Sequence, residues 1–357
     1  MNKLTINDLE YLAIGSAVLG SGGGGNPAYD YLIARHAMEQ HGLVQLIDVN
    51  TLTSKDVVLP IAFMGAPLVV MEKLPSGREL TQLIEMVERT LDCRVAALLP
   101  AEIGGSNAFA PLAVAAKLGL PVVDGDTLGR AFPQLQMSSC HLMKVSTAPS
   151  YLADSLGNVV MIHANDAHSL EKIARQVTVA MGSSCAIAIY LMDGEQAQQA
   201  IIPGTISQAI EIGRSIVQTT EAGQDPIGAL IAMTDGVYLG KGMISEVQQS
   251  IKEGFLEGSV TISTSHGNIE ILYQNEYLIA RKENSVLAST PDIIVLLESK
   301  SGTPLTSETL RYGLQVSLVV LPAPAIWQTK EGLQLVGPQC FGYPMEYQPI
   351  SNHKELI

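Results

Sequence analysis

The sequence lacks the cysteine and histidine spacings that mark common metal and redox sites. Its four cysteines, Cys93, Cys140, Cys185 and Cys340, are dispersed, form no CxxC pair and have one closely spaced histidine, His141. No zinc site can be read from them, and four core or near-core thiols in a reducing compartment are expected instead. The seven histidines show no HExxH or HxH spacing. Positive charge is also scarce: 21 Lys and Arg stand against 35 Asp and Glu, a formal net charge of −14, with no basic run. Such a balance repels nucleic acid and anionic membrane surfaces, so neither is expected as a partner. No aromatic stripe of the kind that binds single strands is present. No stretch reaches about 18 uncharged apolar residues, and MNKLTINDLEYLAIGSAVLG is too acidic and too short in its apolar run for a secretory signal. A soluble, cytoplasmic protein is expected.

What is present fits two compact domains, since 357 residues with 47% hydrophobic content exceed the usual domain of about 100–200 residues. Apolar residues recur at helical spacing from Asn7, placed to cap, to about Leu19. Six residues follow, Gly20-Ser21-Gly22-Gly23-Gly24-Gly25, and then Asn26 and Pro27 can open a second helix running to about His41. Further on, strands and helices alternate: Val44–Ile47, Val57–Phe63, a helix Arg78–Leu91, a strand Arg94–Leu99, a helix Asn107–Leu118 and a strand Pro121–Val123. This order predicts an α/β domain with a mainly parallel sheet covered by helices, because parallel neighbours need a crossover. Helices are expected over Ala167–Met181 and Gly204–Thr219. Beyond Gly236 closely spaced strands take over: Phe255–Ser263, Asn268–Tyr273, Tyr277–Lys282, Asp292–Glu298, Leu314–Val320 and Leu333–Val336. They predict a β-rich, barrel-like carboxy-terminal domain. The division is placed near Asn165, giving residues 1–165 and 166–357. Apolar composition and sheet edges that need covering lead us to expect a homo-oligomer.

Ligands of open α/β sheets sit beyond the carboxyl ends of the strands, so the segments after each strand are the candidates for chemistry. They are Met64-Gly65-Ala66-Pro67 with Glu72 beyond, Glu102-Ile103-Gly104-Gly105-Ser106-Asn107, and Asp124-Gly125-Asp126-Thr127-Leu128-Gly129-Arg130. Glu102, Asp124 and Asp126 could converge on one rim. There they could bind a divalent cation through oxygen ligands, or raise one carboxyl pKa by mutual repulsion and supply a general base. Equally, Asp124 and Glu102 could cap helices and Asp126 could make a turn. The Gly20-to-Gly25 loop, with the start of the Pro27 helix, could cradle an anion on its N–H groups, yet it lacks the Lys and Ser/Thr of a P-loop and follows a helix. Close approach of its backbone to a ligand or to the other domain is expected. His141 beside Cys140 and Ser138 suggests a nucleophile with a base, but adjacent residues on a regular element point in different directions. Met64, Met71, Met137 and Met143 read as core fillers.

Taken together, Leu19 to Pro27, Met64-Gly65-Ala66-Pro67, Glu102 to Asn107 and Gly119 to Asp126 followed by Gly129-Arg130-Ala131-Phe132-Pro133 resemble the S-methyl-thiohydantoin desulfurase-like family. Thr290-Pro291-Asp292, Leu310-Arg311-Tyr312-Gly313 and Val336 to Tyr343 resemble its carboxy-terminal half. The resemblance implies an α/β domain followed by a β-barrel-like domain, and a kinship in context with hydantoinase and oxoprolinase proteins that act on small cyclic amides. It implies hydrolysis of an S-methyl thiohydantoin with release of methanethiol. From position, Asp126 or Glu102 would be the base and Asp124 its partner or a metal ligand. Asn107 or Arg130 would orient the ring, and Gly22–Gly25, Asn26, Gly65, Gly104 and Gly105 would contact it. The alternative is a non-catalytic binding or regulatory subunit that partners a hydantoinase/oxoprolinase-type enzyme.

Overall fold

A computed structural model describes residues 2–65, 76–252, 254–283 and 285–353. Ala66, Pro67, Met71 and Glu72 lie outside the described residues. Helix Ile6–Leu19 starts two residues earlier than Asn7 suggested: Thr5 is the cap, its side chain accepting from Asp8 N while the Asp8 carboxylate accepts from Thr5 N.

At the centre of the first sheet the strands Gln45–Ile47, Val122–Val123, Val95–Pro100 and Val57–Gly65 lie side by side and parallel. Helices Glu79–Leu91 and Ala110–Leu118 make the crossovers that parallel neighbours require. Antiparallel strands extend both edges: Asn2–Lys3 on one side, then Ser184–Ala188, Ser150–Ala153 and Val159–Ile162 on the other. Strand alternation divides the core in two. Leu59, Ile61 and Leu98 face a cluster with helices Ile6–Leu19, Glu79–Leu91 and Ala110–Leu118. Val58, Ala62, Ala97 and Leu99 face Leu170 and Ala174 of helix Ala167–Ala180 and Ala197 of Gly194–Ala200.

Helix Thr205–Glu221 lies against Ile6–Leu19 at backbone distance. A Cβ on Gly15 would sit 1.7 Å from Ala209 O, and one on Gly213 would sit 1.9 Å from Tyr11 O. Glycine at both notches is what lets the helices touch. The carboxy-terminal half is an eight-stranded antiparallel sheet ordered Ser285–Ser289, Glu276–Lys282, Gly267–Gln274, Phe255–Thr264, Val237–Lys252, Gln315–Leu321, Ile293–Glu298 and Pro304–Leu305. Residues Leu333–Val336, expected as a strand, instead end the helix Lys330–Val336. Thr329 caps it by accepting from Gly332 N, and Gly337 N closes it by donating to Leu333 O at 2.9 Å. No helix of the described residues is long and apolar enough to cross a membrane.

The glycine-rich loop joins the halves. Ser21 O accepts from Tyr277 N at 2.6 Å, Ser21 Oγ donates to Ile294 O at 3.0 Å, and Gly22 O accepts from Ser307 N at 2.7 Å. Residue 21 thus bridges two strands of the second sheet that are not paired with each other. A Cβ on Gly22 would sit 2.5 Å from the Tyr277 ring and one on Gly23 2.0 Å from Glu276 Oε1. The run of glycines therefore serves close approach to the other half of the molecule.

Candidate active site

Where the loop meets the ends of the parallel strands, a cavity of about 160 Å³ opens. Its walls come from the glycine loop (Gly24, Gly25, Asn26), the end of Val57–Gly65, the segment after Val95–Pro100 and the hairpin residues Asn275 and Glu276. The site therefore lies at the carboxyl ends of parallel strands and is completed by the second sheet.

Glu102 is the carboxylate that the first sheet delivers to this cavity. Asn107 holds it: Nδ2 donates to Glu102 Oε1 at 2.6 Å. The same amide clamps the neighbouring strand, Oδ1 accepting from Phe63 N at 2.7 Å and Nδ2 donating to Phe63 O at 3.2 Å. Because the Phe63 N–H fixes which end of the amide is oxygen, the donor end must face Glu102. Burial pushes the Glu102 carboxyl up to about 7; the Asn107 bond opposes this and the charge on Asp126 adds to it. Near neutral pH it is thus divided between acid and base forms.

Asp126 is wholly buried and does not line the cavity. Its oxygens accept from Ile103 N at 2.8 Å, Leu128 N at 3.0 Å and Gly129 N at 2.9 Å. It makes the turn that brings the Glu102 loop and the Leu128 loop together. Burial moves its pKa up to about 7 against the pull of these N–H groups. Asp124 turns away: its carboxylate accepts from Ser207 N at 3.0 Å and Ser207 Oγ at 2.6 Å, in the first turn of Thr205–Glu221. The three carboxylates therefore do not form one ligand set, and no group of three His, Cys, Asp or Glu among the described residues is placed to hold a metal ion.

Arg130 is also buried and outside the cavity wall. Nε donates to Ala131 O, and Nη1 donates to Pro291 O at 2.6 Å and Asp292 O at 2.9 Å. Two of the sequence motifs, Gly129-Arg130 and Thr290-Pro291-Asp292, are thereby a single interdomain joint. Trp327 reinforces it, donating from Nε1 to Leu128 O at 2.6 Å and meeting Phe132 edge-on. Of the other ligand-contact candidates, Gly65, Asn26, Gly24 and Gly25 line the cavity, whereas Gly22, Gly23, Gly104 and Gly105 do not. Gly104 and Gly105 instead pack on the loop, where a Cβ on Gly24 would sit 2.3 Å from Gly104 O.

Cys140 is fully buried against Met192 and its thiol is pushed up to about 12, so the Cys140–His141 pair supplies no thiolate nucleophile. Three charged residues of the cavity wall were not singled out from the sequence. Asp30, in the first turn of Ala28–His41, has its carboxyl raised to about 6 by burial. Arg175 is tied to Glu171 and lies over the Phe255 ring. Glu276 sits at the start of a strand, in what the sequence presents as an ordinary polar hairpin turn. Only the glycine loop facing it could have pointed to it.

Two family descriptions cover the chain: S-Me-THD-like, N-terminal domain, over residues 7–164, and S-Me-THD-like, C-terminal domain, over residues 164–350. The chain belongs to the S-Me-THD-like family. Its fold is similar to that of a crystal structure of a protein from Chromobacterium violaceum, with a TM-score of 0.80 and 24% identity over 98% of this chain and 100% of that one. Among curated proteins, none matches the chain.

Proposed function

We propose, from membership of the S-Me-THD-like family and the chemistry of this cavity, that the protein hydrolyses a small cyclic amide of the S-methyl thiohydantoin type. The observation that carries the reading is Glu102: a cavity carboxyl, oriented by Asn107, whose pKa near 7 suits a general base at neutral pH. Water would give a proton to Glu102 as its oxygen adds to the ring carbon bearing sulfur. The resulting tetrahedral centre would expel the methylthio group, which takes that proton from Glu102 and leaves as methanethiol. The ring carbon keeps the oxygen as a carbonyl and the second water proton resides on the ring nitrogen, so atoms and charge balance. A cavity of about 160 Å³ suits a single small heterocycle.

The alternative reading, a binding or regulatory subunit partnering a hydantoinase/oxoprolinase-type enzyme, would use the same cavity without turnover. Thiol release from an S-methyl thiohydantoin by the purified protein, with and without chelator and added divalent cation, separates the two. Release accompanied by one equivalent of hydantoin supports the hydrolase. Ring binding without release under any of these conditions overturns it in favour of the binding subunit.

A further inference from the structure

A cyclic amide presents one edge on which N–H and C=O point the same way, because the ring forces the amide to be cis. A carboxylic acid matches that edge at two points: its O–H donates to the amide carbonyl and its C=O accepts from the amide N–H. A carboxylate cannot, since it only accepts and would set oxygen against oxygen.

Glu276 has the surroundings for the acid form. It lines the cavity, is 2% exposed, and its Oε2 has no hydrogen-bond partner among the described residues. The backbone N–H of Gly24 is bonded to its carboxyl, and the absent Cβ of Gly23 leaves room for Oε1. The charged groups that face it are Glu102 and Arg130, with Asp30 and Arg175 elsewhere on the cavity wall. Arg130 is the cation that opposes protonation of Glu276; its Nη1 is held by the carbonyls of Pro291 and Asp292, while its buried Nη2 has no hydrogen-bond partner among the described residues. Arg175 is committed to Glu171. Burial and the neighbouring Glu102 raise the Glu276 carboxyl above its ordinary value against the pull of Arg130.

We propose that Glu276, as a carboxylic acid, reads the cis-amide edge of the ring and is the specificity-determining residue of the site. This rests on the ligand being a cyclic amide but not on the reaction. It divides the labour between two carboxyls from different halves of the chain: Glu102 acts on water and Glu276 holds the ring. The site is then incomplete unless the glycine loop seats the second sheet against the first.

The test compares 2-pyrrolidinone, a lactam that does not ionise between pH 6 and 9, with its N-methyl analogue, which keeps the carbonyl and lacks the N–H. Calorimetric titration of the unaltered protein at pH 6 should show a preference for the lactam of tenfold or more. Between pH 6 and 9 lactam affinity should fall severalfold or more, as the acid fraction of this raised carboxyl drops. Glu276→Gln keeps a donor and an acceptor on a neutral group, so it should retain the preference and lose that pH dependence. Glu276→Leu should lose the preference at both pH values. Equal binding of the two probes by the unaltered protein, a preference that survives Glu276→Leu, or the same pH fall in Glu276→Gln overturns the assignment. Thiol release is read separately. Release without lactam preference removes Glu276 from recognition alone, and the predicted lactam pattern without release upholds Glu276 while removing the hydrolase.

Discussion

Replacing Asn107 by leucine keeps the number and branching of side-chain heavy atoms and removes every hydrogen bond the amide makes. The Phe63 N–H and C=O lose partners at 2.7 Å and 3.2 Å, and Glu102 loses a donor at 2.6 Å. An unsatisfied buried polar group costs about 1–3 kcal/mol, so the two Phe63 groups should lower stability by about 2–4 kcal/mol in this part-buried setting. The kinetic consequence has its own sign. The Asn107 bond favours the charged form of Glu102, and a hydrogen bond to a charged group contributes about 1.5–3 kcal/mol, where one pKa unit corresponds to about 1.4 kcal/mol. Its loss should raise Glu102 by about one to two units from its value of about 7. The acid limb of kcat, read at saturating substrate, should move to higher pH by the same amount, while the rate at high pH recovers. Thiol release followed from pH 5 to 9, beside urea unfolding of the same preparation, reads both effects. A variant that is folded and slower but has an unshifted acid limb refutes the role given to Asn107.

Asp126→Asn should act on folding. An amide NH2 would face the N–H groups of Ile103, Leu128 and Gly129, and stability should fall by about 2–4 kcal/mol in denaturant titration. Full stability with no turnover would instead place Asp126 in the chemistry. The cavity carboxyls also predict how stability depends on pH. Asp30, Glu102 and Glu276 are all raised, the first two to about 6 and 7, so from about pH 4.5 to 7 and above the folded state holds protons that the unfolded chain has released. Their contribution is present below that window and is lost as pH rises through it. The urea midpoint should be higher at pH 5 than at pH 8.5, and the reverse order contradicts the buried environment assigned to these groups.

Local signals carried much of the architecture. Helix Glu79–Leu91 was legible because Leu80, Leu83, Ile84 and Val87 recur at helical spacing and are its buried face. The parallel strands were legible as short apolar runs between helices. Strand Val237–Lys252 escaped because its residues, from Lys241 to Gln249, alternate little in polarity and much of its length is exposed. Strand Ser184–Ala188 is short and joins the first sheet from the far side of the expected division near residue 165. Within the site, Glu102 and Asn107 stood in one motif and the fold brings both to the cavity. Asp124 and Asp126, two residues apart, looked like partners but serve different elements: Asp126 makes the local turn to Leu128 and Gly129 that its spacing allowed, whereas Asp124 finds Ser207, 83 positions on, which spacing cannot reveal. Glu276 was hidden for the same reason: it reaches the cavity through a contact between residues more than 250 positions apart.

The central claim is that Glu102 is the base. Its direct test is Glu102→Gln, measured for lactam binding by calorimetry and for thiol release from an S-methyl thiohydantoin at saturation. The account predicts binding close to that of the unaltered protein and a rate lowered by about a hundredfold or more, the usual contribution of a positioned general base. A Gln variant that binds the lactam and releases thiol within a few-fold of the unaltered rate would contradict it.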